Sequence, residues 1–267
     1  MATDTKRLKS RIRSIDSTLH LAKAMELVAS TKIRGASELM NKNRQYTLTL
    51  EDMIKGLAGV PECKKSVYMQ KDNGGKVCTV VIAGDRGLAG GYNMNVLKLA
   101  DSTMAEEFIP VGKRACEKYQ RDILKVEDFD YKEAYKLAKE LCGCFKSGKY
   151  GEIQIVSTNY VSMMTQNPEV QQILPVEMSE DKKNVSIIYE PDEITVLDTL
   201  IEKYVAAKLL VAARESFVCE LVARRLAMDS ASKNASEMID ALTLEYNRAR
   251  QGAITQEITE IIAGSGI

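Results

Sequence analysis

The segment Gly84-Asp85-Arg86-Gly87-Leu88-Ala89-Gly90-Gly91-Tyr92-Asn93 carries the residue types most suggestive of chemistry. It follows Lys76-Val77-Cys78-Thr79-Val80-Val81-Ile82-Ala83, which reads as a buried strand, and a helix is predicted next, over about Met94 to Glu107. Strand, glycine loop and helix in that order is how phosphates are cradled at helix N-termini. The spacing, however, fits neither GxGxxG nor GxxxxGK[ST], and no Lys-Ser/Thr pair follows to reach phosphate and magnesium. Glycines serving tight turns are the better account. A nucleotide-binding protein using Gly84 to Gly91 stays open as an alternative.

The remaining candidates form no catalytic set. His20 is the only histidine, so no second one is there to share a metal or a triad. It reads as a surface or seam residue. Glu106 and Glu107 are adjacent, so on a helix their carboxylates diverge instead of converging on a substrate. Six cysteines (Cys63, Cys78, Cys116, Cys142, Cys144, Cys219) lack CxxC spacing, and Cys142-Gly143-Cys144 would be strained as a disulfide. Reduced thiols, no metal and no cofactor are the expectation.

The elements that would position these residues are dominated by two helices. All five prolines lie between Pro61 and Pro191. The N-terminal stripe is Leu8, Ile12, Ile15, Leu19, Ala22, Glu26, Ala29, Ile33, Ala36, Met40, in steps of four and three that keep a heptad seam. It should stop near Gly56 and Gly59. From Asp192 to Gln251 there is neither glycine nor proline. As one helix that segment would reach about 90 Å at 1.5 Å per residue. Its stripe is clearest in Met228, Ala231, Ala235, Met238 and Leu242. Beyond Gly252, the residues Ile254, Ile258, Ile261 and Ile262 are apolar, and such an end should fray unless something surrounds it. Met25, Leu27 and Val28 also lie off the seam, which suggests that this helix touches more than its coiled-coil partner.

Between the helices the pattern alternates strand and helix. Phe108 to Val111, Glu152 to Tyr160 and Val185 to Tyr189 read as strands and Lys132 to Phe145 as a helix, giving a small, mainly parallel sheet. The predicted fold class is α/β: a long antiparallel coiled coil of the terminal helices flanking a small Rossmann-like domain. The division is 1–58, 76–190 and 192–267.

Composition bounds the partners. A 28% charged and 45% hydrophobic chain fits a soluble protein with many exposed helical faces, and no apolar run reaches the roughly 18–20 residues needed to cross a bilayer. Residues 1–44 hold ten Lys/Arg against four Asp/Glu, which points to an acidic partner near this helix or to a solvated basic face. A pI near 6.7 and the lack of a groove-reading motif count against nucleic acid. The start has no apolar signal core, which predicts a chain that begins at Met1 and stays inside the cell.

Three segments resemble the gamma subunits of the rotary F-type ATP synthase, bacterial type. They are the helix from Thr18 to Lys32, the loop from Gly84 to Asn93, and Tyr246-Asn247-Arg248-Ala249-Arg250-Gln251-Gly252-Ala253-Ile254-Thr255-Gln256-Glu257-Ile258-Thr259-Glu260-Ile261-Ile262, the most specific of the three. The resemblance implies a central rotor shaft that couples transmembrane ion flow to ATP synthesis and hydrolysis at alpha/beta catalytic sites. The chemistry would belong to those sites. The implied partners are the alpha and beta subunits, the epsilon subunit and the membrane c-ring, with no small-molecule substrate, and the implied location is the cytoplasmic face of the bacterial plasma membrane. Lys23 and Met25 match the stretch facing an acidic beta loop, Arg250 and Gln251 match a pair that hydrogen-bonds to a beta loop, and Glu190 matches the foot near the rotor ring. Ala89 replaces a cysteine common in the family loop, Gly252 stands where alanine is frequent, and Val176 to Asn184 is too short for the cysteine-bearing segment of plastid forms. A structural coiled-coil scaffold is the other alternative.

Overall fold

The elements run α1 (Ala2–Ala58), β1 (Lys76–Ile82), α2 (Tyr92–Ser102), β2 (Glu107–Val111), α3 (Lys113–Tyr119), α4 (Tyr131–Lys146), β3 (Tyr150–Tyr160), β4 (Gln166–Leu174) and α5 (Glu193–Gly264), with two 3-10 turns at Glu62–Lys65 and Val67–Met69. This is a computed structural model, which describes residues 2–70, 74–176 and 189–264. α1 ends where the sequence places Gly59 and Pro61. α5 starts behind Pro191, where the Asp192 carboxylate accepts hydrogen bonds from the Thr195 amide (2.9 Å) and hydroxyl (2.8 Å). Those bonds hold the Asp192 carboxyl below its ordinary value. Asp130 caps α4 in the same way by accepting from the Glu133 amide at 3.0 Å.

The four strands form one sheet in the order β2-β1-β3-β4. β1 is parallel to both β2 and β3, and β4 returns antiparallel to β3. The crossovers from β1 to β2 and from β2 to β3 place the carboxyl end of β1 at a switch point between its two parallel neighbours. One face of the sheet, with Val80, Ile82, Ile153 and Ile155, packs into the main core with Leu141 and Phe145 of α4 and Leu197 to Ala213 of α5. The other face, with Val81 and Val156, packs on Val96 and Ala100 of α2 and Ala115 of α3. From Cys78 to Ile82 β1 is buried and, apart from Thr79, apolar, because it is covered on both sides.

The chain divides into two compact units, one comprising residues up to Ser30 and from Arg224 on, the other Thr31–Ala223. That boundary cuts through both long helices, whereas the division 1–58, 76–190, 192–267 follows the elements. In the second unit α1 and α5 run antiparallel: Arg44 pairs with Glu215 and Glu51 with Lys208, so seven residues forward on one helix match seven back on the other. In the first unit Ala22 on α1 and Ala235 on α5 are buried. The α1 stripe is the less exposed face at every position from Leu8 to Ala29.

The α5 seam differs from the one expected. The less exposed positions are Met228, Ser232, Ala235, Ile239, Leu242, Tyr246, Ala249 and Ala253, while Met238 is 56% exposed and Ala231 only half-buried. Both phases share Met228, Ala235 and Leu242. They differ in which of two adjacent residues turns inward, and the facing helix decides that.

Smaller differences have local causes. α2 begins at Tyr92 and stops at Ser102, where the Ser102 and Thr103 hydroxyls bond back to the carbonyls of Leu99 and Ala100 (2.7 Å each). α3 was not expected, being a short helix after a glycine. The strand expected at Val185 to Tyr189 falls almost wholly outside the described residues. The strand from Gln166 to Leu174 is mostly polar because much of it is exposed, so it carries no buried-strand signal.

Candidate functional site: the glycine loop and the partner-facing residues

The glycine loop sits at the carboxyl end of β1, where a doubly wound sheet would bind a phosphate. In this chain the position is filled from within. Glu220 of α5 is 2% exposed, and its carboxylate accepts the amides of Asp85 (3.0 Å) and Arg86 (3.2 Å). A Cβ at Gly84 would lie 2.7 Å from the Glu220 Oε2, so glycine there admits the carboxylate. Asp85 turns the other way and accepts the amides of Lys113, Val126 and Glu127, each at 3.0 Å. The Asn93 side chain accepts from the Gly84 amide (2.8 Å) and donates to the Arg86 carbonyl (3.1 Å).

Amides that would greet a phosphate thus already hold the Glu220 carboxylate, which occupies the place a phosphate oxygen would take. This geometry disfavours the nucleotide-binding alternative. Sequence reasoning missed Glu220. The available signal was a carboxylate within the apolar run Val218-Cys219-Glu220-Leu221-Val222, since buried carboxylates are rare unless partnered.

Among the described residues, no group of three or more His, Cys, Asp or Glu is placed to hold a metal ion. His20 is exposed and 3.7 Å from Asp16 one turn away. Cys142 is buried and Cys144 half-buried on α4, both as free thiols. Burial pushes the Cys78, Cys142 and Cys219 thiols up to about 12.

Four of the five residues matched to partner contacts lie on helices, and Glu190 lies in the bend before α5. Lys23, Arg250 and Gln251 are exposed, Met25 is half-buried, and Glu190 is exposed just before α5. Lys23 and Met25 are two residues apart, about 200° around the helix, so they face different directions. The Asp229 carboxylate, and after it the charge of Glu26, hold the Lys233 ammonium above its ordinary value, which puts Glu26 of α1 near the level of Lys233 on α5. By that register Lys23 and Arg250 are separated by about 14 residues, or ~20 Å along the helix, too far apart to share one contact.

The same unit exposes many large apolar side chains. Leu21, Leu27 and Val28 on α1 and Leu244, Ile254, Ile258, Ile261 and Ile262 on α5 are all open to solvent, Ile261 at 70%. Among the described residues no helix is long and apolar enough to cross a membrane.

Comparison with known proteins bears on what such a surface is for. The family model described as ATP synthase matches residues 4–266. An ATP synthase gamma chain of Ruminococcus albus is 40% identical over 280 residues, spanning 97% of this chain and 97% of its own. A sodium ion specific ATP synthase gamma chain of Acetobacterium woodii is 35% identical, spanning 99% of each. Among solved structures, a chain of the Euglena gracilis mitochondrial ATP synthase, in an assembly of OSCP, F1 and c-ring, has a TM-score of 0.70 at 18% identity, covering all of this chain and 97% of that one. At that identity the structural match speaks for the fold, while the sequence matches carry the family. By those matches, the chain belongs to the family of ATP synthase gamma chains.

Proposed function

We propose that this chain is the central rotor shaft of an F-type ATP synthase, coupling transmembrane ion flow to ATP synthesis and hydrolysis at sites on alpha and beta subunits. The observation that carries the reading is the apolar tip of α5. Ile254, Ile258, Ile261 and Ile262 would be a liability on an open helix end, and enclosure by a collar of subunits gives them an environment. Apolar contact is non-directional, so a shaft can turn in such a collar without breaking aimed bonds at each angle.

In this reading residues 1–58 and 192–267 supply the shaft and 76–190 the α/β domain beside it. Lys23 and Met25 meet an acidic beta loop, and Arg250 and Gln251 meet a beta loop by hydrogen bonds. Glu190 lies at the foot, toward the membrane c-ring, with the epsilon subunit as a further partner. The chain acts without catalytic residues of its own, at the cytoplasmic face of the bacterial plasma membrane. The filled glycine loop supports the non-catalytic part of this reading, because it leaves no open phosphate cradle.

The deciding experiment is co-expression with alpha and beta subunits. A complex that co-purifies with ATPase activity, while the isolated chain turns over no ATP, is the expected result. ATP hydrolysis by the chain free of alpha and beta would overturn the non-catalytic reading, and failure to join them would overturn the shaft.

A further inference from the structure

One turn of α5 differs from the rest of that helix's buried face. From Leu197 through Ile201, Val205, Leu209 and Ala213 the face is apolar and packs into the main core. At Glu215, Ser216, Cys219 and Glu220 polar groups join the buried face beside Val218, and each of them is bonded to another element. The Arg44 guanidinium of α1 donates to Glu215 (2.5 Å) and to the Tyr160 carbonyl (3.0 Å). The Tyr92 hydroxyl of α2 donates to the Ser216 carbonyl at 3.0 Å, and the Cys219 thiol to the Thr158 carbonyl of β3 at 3.8 Å. Glu220 takes the two loop amides already described.

The bonds continue beyond the loop. Asp85 gathers amides from the start of α3 and the segment before α4, and Glu127 in that segment pairs with Lys32 of α1 at 3.0 Å. A path of aimed bonds therefore leads from α5 through the loop to α1.

We propose that Glu220 is the positioning residue of a torque joint, which fixes the rotational angle of α5 against the α/β domain. The physical reason is directionality. Apolar packing of Leu197 to Ala213 keeps that face of α5 inward but tolerates small turns about the helix axis, whereas a hydrogen bond weakens steeply once its angle is lost. A carboxylate with two backbone donors resists that turn, and charge-assisted bonds are the strong ones. Gly84 is then glycine because the joint needs the carboxylate at the backbone.

This rests on the rotor reading, and the test separates the two. Complexes containing wild type, Glu220→Ala or Glu220→Gln are placed in inverted membrane vesicles, and ATP-driven ion uptake is measured per ATP hydrolysed. Hydrolysis by the detached soluble complex is measured in parallel. With Glu220→Ala the uptake per ATP should fall by about threefold or more, while soluble hydrolysis stays within about twofold. Glu220→Gln keeps the shape and one oxygen acceptor, and should lie between. If the alanine variant does not assemble, the same ratio in the glutamine variant decides. An unchanged ratio, or uptake and soluble hydrolysis falling in step, overturns the joint. A wild-type chain that does not assemble with alpha and beta overturns the rotor reading and the joint with it.

Discussion

Cys142 and Cys144 lie two residues apart on α4, so they point to different sides of the helix, and their burial differs accordingly. At pH 8 a thiol held near 12 is ionised in only about one molecule in ten thousand, so the buried cysteines are poor nucleophiles. Iodoacetamide should therefore label Cys144 first in the folded chain, with the other five protected until denaturant is added. Peptide mass analysis checks this, and equal labelling of Cys142 and Cys144 would contradict the burial assigned to them. Arg250 and Gln251 pose the opposite problem, since both side chains are exposed on α5. If they bond a beta loop in the assembled complex, the Arg250 bond is charge-assisted and worth roughly 1.5–3 kcal/mol. The double change Arg250→Ala, Gln251→Ala should slow steady-state hydrolysis while leaving nucleotide affinity at the tightest site nearly intact. Normal assembly with normal turnover would remove their proposed role.

Among the elements, the turn between β2 and α3 is the most tightly constrained. Gly112 has φ +95°, and a Cβ there would stand 1.8 Å from the Ala83 carbonyl oxygen. Its amide donates to Leu124 at 2.7 Å while Ala83 donates to Val111 at 3.0 Å, so neither backbone can retreat without losing a bond. Gly112→Ala should cost about 3 kcal/mol or more, by combining positive-φ strain with a backbone clash. Urea unfolding measures it, and a loss under about 0.5 kcal/mol would mean that the turn yields more easily than this geometry allows. Gly143, on the exposed part of α4, has nothing within 4 Å of its would-be Cβ. Gly143→Ala should stabilise by up to about 1 kcal/mol through helix propensity, and serves as the control.

At the scale of the molecule, the core that could fold alone lies within Thr31–Ala223, which contains the four strands of the described residues and most of the buried residues of α5. The apolar side chains past Leu242 contribute nothing to it, since Ile254, Ile258, Ile261 and Ile262 are exposed. A chain ending at Leu242 should keep the exchange-protected amides of β1 and β3 at their full-length protection. Loss of that protection would show that the tip belongs to the fold. The same construction explains why α5 can be 72 residues long in a chain of 267: its first part is stabilised by core burial, and its last part is left for a partner.

Local pattern was enough to establish the two long helices, the buried strand expected at Lys76 to Ala83 and the helix from Lys132 to Phe145. Each rests on a periodicity or a stop signal carried by its own residues, such as Gly59 and Pro61 behind α1. The family was legible for a similar reason, because the run from Tyr246 to Ile262 is specific in itself. Three other features depended on what comes to face them. The α5 seam takes Ser232 and Ile239 over Ala231 and Met238 because the facing helix selects one of two equally spaced phases. The strand from Gln166 to Leu174 is polar along most of its length and exists by pairing with β3, a bond pattern that no local propensity encodes. Glu220 stands 135 residues from Asp85, and only the packing of α5 across the carboxyl end of β1 turns a glycine loop shaped for an anion into one that already holds its own.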